Sequence, residues 1–492
     1  MGGTTYLEFV RFRAKANPFI SGLYEHLQRE SRAASRIVYL DYRHNEPSQL
    51  EPKPVSAMED DLVYLVEGVT PSTTRFLFVE NITSTMVSQL GEDLDIDPLF
   101  FADYVNFRFD SIQKAAAPPS YATLPSLIGK RNHIHLHHYQ FVALGGSDGS
   151  NVPYALTTGS NVPRNVRRLA PISGRQLALA RACCSFIIKP VKTSQICLFL
   201  VDPPITSVEA LHTELNRSYH ATVLCDGFED FESPCSFSSF AHGKASRLLN
   251  TTSMLDTIVR YLGNQRPPGF HANSPSILSV GYYPVRIVIS GWSLYNYLTT
   301  RCSKYDEYSI LNKAGPIRDE DIAHLQRWRR RSKRGQQRLD LLAEVICFHT
   351  QYEDEKELWS LILKDVRWLK AQQQEFCQSL EQMIAVAMSI VQLLDSRRSI
   401  LEAFTMRRLT FIALVFIPLA WVASLFSMSD AYSPGHERFW VYFATALPLL
   451  GIVLILSMLR YGQIGKWLRQ AWEGRGRIQM IGEMYRLPQV AV

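Results

Sequence analysis

The sequence lacks the features that mark secreted, disulfide-linked or nucleic-acid-binding proteins. Its eight cysteines form no Cys-x-x-Cys pair and no disulfide-framework spacing. The amino-terminal residues contain no apolar core of a secretory signal. The net charge of +6, from 52 basic and 46 acidic residues, is too small for 492 residues to indicate nucleic acid as a partner. We therefore predict reduced thiols on the cytosolic side and no nucleic-acid partner.

The bulk composition narrows the class of protein further. Hydrophobic residues make up 46% of the chain and charged residues 20%, and the mean hydropathy is −0.07. These values exclude a mostly disordered chain and a membrane protein with many spans, but they allow a few spans beside a large soluble part. No residues show an interpretable catalytic spacing, so we expect neither an enzyme nor a resident cofactor.

Two uncharged apolar runs near the carboxyl terminus, Leu409–Met428 and Phe439–Leu459, are far more hydrophobic than the chain as a whole. Each has roughly the 20 residues that a helix needs to cross the hydrocarbon core of a bilayer. Pro418 and Pro448 lie inside the runs, and membrane helices tolerate internal proline better than soluble ones. The sequence therefore predicts an integral membrane protein with an antiparallel two-helix hairpin.

The distribution of basic residues predicts the orientation of the hairpin. Four arginines precede the first run and five basic residues follow the second, whereas the short connecting loop contains only Arg438. The flanking residues are Arg397, Arg398, Arg407, Arg408, Arg460, Lys466, Arg469, Arg475 and Arg477. Basic residues stay on the cytosolic side of a membrane. Both termini are therefore expected to be cytosolic, and the sequence does not indicate which membrane is crossed.

A long helical stalk precedes the first run. The segment from about Glu353 to Arg408 contains no proline or glycine, so stalk and span are expected to form one continuous helix. An apolar stripe follows it at helical spacing: Leu380, Met383, Ala387, Ile390, Leu394, Leu401 and Phe404. Such a stripe needs a partner, from its own chain or from identical subunits.

A second series on the same helix has the pattern of a pore lining. Its members follow one another at spacings of three or four: Asp395, Ser399, Glu402, Met406, Leu409, Ala413, Ile417, Ala420 and Ser424. Copies arranged around an axis would present acidic and hydroxyl rings, then narrow apolar rings that gate by dewetting. Alternatively, Asp395 and Glu402 pair with Arg398 and other charges on a solvated coiled-coil face.

The hairpin resembles that of CorA-like magnesium and divalent-cation transporters. The resemblance rests on Leu409-Thr410 at the start of the first run, on Phe416-Ile417-Pro418-Leu419 at its centre and on Phe426-Ser427-Met428-Ser429 at its end. A weaker match lies in the segment that leads into Asp97-Pro98-Leu99 and ends at Asp103. The resemblance implies a homo-oligomer, by family a pentamer, that passes a divalent cation such as magnesium.

The exit motif departs from that family. Where the family has Gly-Met-Asn, this chain has Ser427, Met428 and Ser429. Hydrated magnesium sheds its waters reluctantly, and the shorter serine hydroxyl replaces an amide that would meet the hydration shell. Two functions remain open: a divalent-cation channel or transporter, and a transport-inactive membrane scaffold or regulator that has lost the selectivity motif.

The remaining chain is predicted to be a cytosolic α/β domain. Extended runs occur at Ile37–Arg43, Arg75–Asn81, His133–Leu144, Cys184–Pro190 and Ile196–Asp202, interleaved with helical segments. We predict four parts: an α/β domain over 1–277, a helical region with the stalk over 278–408, the transmembrane hairpin over 409–459 and a basic cytosolic tail over 460–492.

Two further clusters have open interpretations. His133, His135 and His137 alternate along a predicted strand beside His138, so three imidazoles on one face are either a zinc site or a histidine-rich strand without a metal. The basic run Arg327–Arg334 is either a solvated helix face or a contact for anionic lipid.

Overall fold

The fold was analysed in a computed structural model. It describes residues 5–44, 52–105, 124–145, 152–169, 174–210, 217–224, 236–242, 253–311, 317, 319–427 and 438–458. The chain divides into two compact units, Met1–Ala387 and Met388–Val492.

The first unit is built on one ten-stranded sheet. Its strands are β1 (Arg36–Arg43), β2 (Val55–Ala57), β3 (Thr73–Glu80), β4 (His133–Leu144), β5 (Ala155–Thr158), β6 (Asn165–Arg168), β7 (Leu177–Val191), β8 (Ser194–Val201), β9 (Ser207–Ala210) and β10 (Ser218–Val223). All five extended runs identified in the sequence are strands, and β4 has the predicted bounds.

The strand order is β2-β1-β3-β8-β7-β4-β10-β9-β5-β6, with a further pairing between β6 and β7. Only β3 and β8 pair in parallel among the described strands. Because β6 returns to β7, six strands from β7 round to β6 close into a ring. Small apolar side chains such as Ala178, Ala180 and Val208 fill a separate core there. The sheet is therefore open at one end and a small barrel at the other.

Eleven α-helices lie in the described residues. They are α1 (Tyr6–Ala16), α2 (Ser21–Leu27), α3 (Leu62–Glu67), α4 (Ser84–Asp93), α5 (Pro98–Val105), α6 (Phe237–Ala241), α7 (Met254–Asn264), α8 (Ile277–Leu311), α9 (Asp319–Thr350), α10 (Lys356–Phe426) and α11 (Trp440–Met458).

Helices cover both faces of the open part of the sheet. One core joins Val38, Phe76 and Phe199 of the sheet to α7, α8, α9 and the first part of α10. The other joins Leu77 and Leu198 to α1 through α5. Side chains alternate between faces along a strand, so neighbours such as Phe76 and Leu77 enter different cores. The first unit is thus a layered α/β domain, as predicted.

Helix α10 runs without a break from Lys356 to Phe426, a length of 71 residues. The predicted continuity of stalk and first apolar run is therefore confirmed. Trp359, Ile362 and Val366 near its start are 0%, 1% and 0% exposed, which anchors the helix in the core of the first unit.

Glycine at position 281 lets α8 pack closely on the sheet. A Cβ added there would overlap the ring of Phe186, which is fully buried on β7. We expect Gly281→Ala to destabilise the protein by about 1–3 kcal/mol, because overpacking outweighs the gain in helix propensity. Thermal unfolding of the full chain measures this as a lowered melting temperature.

The matched control is Gly263→Ala in the last turn of α7. Its nearest neighbour would be the Pro52 carbonyl oxygen at 3.8 Å, an ordinary contact. This variant should melt at or slightly above the wild-type temperature. Equal melting temperatures for the two variants would contradict the close packing of α8.

Candidate functional site in helix α10 and a buried histidine cluster

The nine predicted pore-lining residues all lie on α10, in the second unit. Eight of them are exposed in the single chain, and Ala413 is half-buried. The apolar members include Met406, Leu409 and Ile417, which are 66%, 64% and 67% exposed. The stripe is thus continuous, and the described part of this chain leaves it uncovered except in part at Ala413.

The acidic end of the stripe carries one ion pair. Arg398 Nε donates to Glu402 Oε1 at 3.0 Å, one helical turn apart. Both side chains are exposed, at 80% and 65%, so this pair contributes at most about 0.5 kcal/mol. It agrees with the alternative of a solvated face for Glu402, whereas Asp395 has no ion pair among the described residues.

The apolar stalk stripe has two different surroundings. Leu380 and Ala387 are fully buried within the first unit. Farther along, Leu394, Leu401 and Phe404 are 39%, 67% and 58% exposed. The chain therefore covers the beginning of the stripe itself and leaves the second part uncovered.

Among the described residues, one helix, Lys356–Phe426, is long and apolar enough to cross a membrane, and only 6% of its most apolar window is buried. The second predicted span corresponds to α11, an apolar helix in which Trp440–Ile455 forms a shorter apolar stretch. A second crossing therefore stays a prediction. Of the exit motif, Ser427 is exposed just after α10, whereas Met428 and Ser429 lie outside the described residues.

The histidines of β4 meet a carboxylate from α5. His133, His135 and His137 do share one face of the strand, as predicted, and their rings follow one another at 5.1 and 6.4 Å. Asp103 lies against them: its Oδ2 is 3.6 Å from His135 Nε2 and its Oδ1 is 3.7 Å from His137 Nε2. All three side chains are buried, and His135 Nδ1 is 2.6 Å from Ser185 Oγ.

Asp103 ends the apolar run of α5, Pro98-Leu-Phe-Phe-Ala-Asp. In the sequence, the one sign of this contact is an acidic residue at the end of an apolar helical run. Spacing along the chain did not reveal it, since 32 positions separate Asp103 from His135.

A cavity of about 60 Å³ borders this cluster, lined also by Trp292 and Arg338. No three His, Cys, Asp or Glu side chains in the described ranges are arranged to hold a metal ion together. The zinc interpretation thus finds no three-ligand group among the described residues.

Burial determines the charge state of the cluster. It lowers the pKa of His137 to about 4 and that of His133 to about 3, and it lowers the pKa of His135 as well. For Asp103, burial by itself raises the pKa, but the adjacent imidazoles outweigh burial and lower it. Near neutral pH the cluster is thus one buried carboxylate beside uncharged imidazoles.

These lowered pKa values predict acid sensitivity. In the unfolded chain a histidine takes up its proton near pH 6.5, whereas folded His137 does so only near pH 4. The unfolded state therefore binds more protons between these values, and each such histidine costs up to about 1.4 kcal/mol of stability per pH unit as pH falls. We expect the melting temperature to drop from pH 6.5 towards pH 4.5, and His137→Gln to reduce that drop.

The control is His271→Gln, which changes an exposed histidine beside Asp354. Its melting profile should follow the wild type across the same pH range. An unchanged profile for His137→Gln would contradict the buried, uncharged state of that imidazole.

Neither a protein-family model nor a curated protein sequence matches this chain. Similar solved structures include the complete CorA magnesium transporter from Methanocaldococcus jannaschii, at 9% identity and a TM-score of 0.34, covering 85% of this chain and 96% of that one. The full-length CmaX protein is similar at 11% identity and a TM-score of 0.35, covering 89% of this chain and 99% of that one.

Proposed function

We propose that this chain is a membrane protein that passes divalent cations through a homo-oligomeric pore lined by α10. The observation that carries the proposal is the stripe from Asp395 to Ser424, which is continuous on one helix and exposed in the single chain. Its chemistry changes along the helix from acidic and hydroxyl groups to small and apolar groups. That order suits a cation path with an attracting mouth and a narrow apolar gate.

Assembly follows from the same helix. The exposed Leu394, Leu401 and Phe404 lie before the apolar run, where no lipid tails cover them. Identical subunits packed around an axis would bury these side chains, at roughly 1.5–3 kcal/mol for each one fully buried. A single chain cannot enclose an aqueous path, so function and assembly are linked. The number five comes from the family resemblance alone.

The second candidate is a transport-inactive scaffold with the same assembly. It is favoured by one observation, the replacement of Gly-Met-Asn by Ser427-Met428-Ser429. If Ser429 stands at the Asn position, its hydroxyl reaches less far towards the axis than an amide. A hydrated ion would then be held less specifically. Flux decides between the two candidates.

The transport prediction is uptake of magnesium, cobalt and nickel into vesicles that contain the purified chain. We expect flux with weak preference for magnesium, and the variant Ser427→Gly/Ser429→Asn should raise that preference. Glu402→Lys should abolish flux by placing a cationic ring in the path, while Glu402→Gln should only reduce it. Light scattering should give a multiple of 56.1 kDa for every variant.

A charge swap separates the pore from the solvated surface pair. Arg398→Glu/Glu402→Arg keeps the ion pair but still places a cation in the stripe. If the pore proposal holds, this variant is as inactive as Glu402→Lys. Recovery of flux by the swap would assign Glu402 to the surface pair, and absence of flux in both wild type and restored motif would favour the scaffold.

The proposed topology places both termini in the cytosol and the loop Asp430–Arg438 outside. It follows from the basic residues that flank the two apolar runs. An epitope fused after Val492 should be protected from protease in intact cells and cleaved after permeabilisation. Cleavage in intact cells would contradict this topology.

A further inference from the structure

The basic run of α9 has two faces with different partners. On one face, Arg329 Nε and Lys333 Nζ approach Glu381 Oε1 of α10 at 2.7 and 3.2 Å. On the other face, four arginines recur at spacings of four, three and four: Arg327 and Arg334, which are exposed, and Arg331 and Arg338, which are half-buried. The run is therefore only in part the solvated face that the sequence allowed.

The second face meets two more arginines on the outer surface of the barrel. Arg181 of β7 lies directly opposite Tyr139 of β4, and Arg167 of β6 lies next to that strand. The guanidinium of Arg338 stands 5.8 Å from the Tyr139 ring. Those of Arg327 and Arg167 stand 4.7 and 5.7 Å from the Tyr154 ring. We call these six arginines, at positions 167, 181, 327, 331, 334 and 338, the arginine cluster.

No carboxylate of the described residues balances the arginine cluster. Within the described ranges, none of its six members has an acidic oxygen within 4.0 Å, whereas Arg164 nearby is paired with Asp202 at 2.7 Å. The Nη1 atoms of Arg167, Arg331 and Arg338 are buried without a hydrogen-bond partner. Unpaired buried charge is costly, and so is an orphaned donor.

The arginines of the cluster shift the pKa values of one another and of Tyr139. Burial, together with the other guanidiniums, lowers the pKa of Arg181 to about 10, and burial lowers that of Arg167. Burial alone raises the pKa of the Tyr139 phenol, but the surrounding arginines outweigh it and lower that pKa. All six arginines therefore act on one positively charged region.

We propose that the arginine cluster is a binding site for a phosphate-rich anion, with two or more linked phosphate groups or a phosphorylated headgroup. Guanidinium forks bind phosphate oxygens in pairs, and six of them exceed what one monovalent anion neutralises. The four arginines of α9 span roughly 16 Å along the helix, which suits an extended ligand. The site lies wholly in the first unit and does not depend on ion transport.

The test measures binding to the full chain in nanodiscs of neutral lipid, with sodium tripolyphosphate as the probe and EDTA present to remove metal ions. We expect the melting temperature to rise with tripolyphosphate, because a ligand that binds only the folded state stabilises it. Sulfate at equal ionic strength should give little rise. A second arm replaces neutral lipid by phosphatidic acid, without tripolyphosphate, to separate a headgroup from a free phosphate.

The test variant is Arg331→Gln/Arg334→Gln, and the matched control is Arg329→Gln/Arg330→Gln on the same helix. Both remove two positive charges, but only the first removes members of the cluster. We expect the test variant to lose about tenfold or more in affinity and the control to stay within about twofold. Without ligand, the test variant should melt at or above the wild-type temperature, because repulsion among the arginines is relieved.

Three results would overturn the proposal: no response to tripolyphosphate or phosphatidic acid in the wild type, equal loss of affinity in both variants, or a test variant that melts at a lower temperature than the wild type without ligand.

The chain also has its own acidic residues after β10, namely Asp226, Glu229, Asp230 and Glu232. If amidation of these four creates tripolyphosphate binding that the wild type lacks, the cluster belongs to that segment, and the proposal is wrong.

Discussion

The apolar surface of α10 has to leave water along its whole length, and most of the architecture depends on this requirement. Near the start, Trp359, Ile362 and Val366 are buried in the core shared with the sheet. Farther on, Leu401, Phe411 and Trp421 are 67%, 56% and 60% exposed in one chain. The α/β domain covers the first part of the helix. In the proposed membrane-anchored homo-oligomer, identical subunits and lipid would cover the rest.

The two long strands β4 and β7 connect the open sheet to the barrel. Both belong to the open sheet and to the closed barrel, so their core-facing positions change along their length. Ile134 and Leu136 face the same core as Tyr139 and Phe141. The first two positions have even numbers and the last two have odd numbers, so the core-facing positions of β4 change between them. Tyr139 follows this change and lies near the arginine cluster, whereas His137 precedes it and faces Asp103 together with His135. The histidine cluster and the arginine cluster therefore both lie near the place where the sheet turns into the barrel.

Two groups of arginines in the first unit differ in their partners. Arg75 and Arg164 each make two-pronged contacts at 2.7 Å, with Asp41 and Asp202 respectively. Their charges are balanced, and removing either carboxylate would leave a buried cation unpaired. The arginine cluster lacks such partners, so its residues do not serve the fold in the same way. The contrast between paired and unpaired guanidiniums is what distinguishes the structural arginines from the proposed ligand site.

The sequence by itself determined the features that arise from short-range order. The strand His133–Leu144, the continuous helix through Arg408 and the shared face of three histidines follow from residue periodicity and from the lack of helix breakers. That the nine residues of the proposed pore stripe share one helix was also predictable; that they line a pore stays a prediction. The second crossing, the subunit number and the cation are not determined by this chain's fold and stay predictions.

Only the tertiary structure decided which distant residues meet. The closure of β6 onto β7, the contact of Asp103 with His135 and the convergence of Arg167 and Arg181 on α9 join positions that are 10 to more than 100 residues apart. Local propensity contains no information about such pairings, because strand register and helix docking are set by how the whole core packs. A basic run that looked solvated therefore proved to have one paired face and one unpaired face.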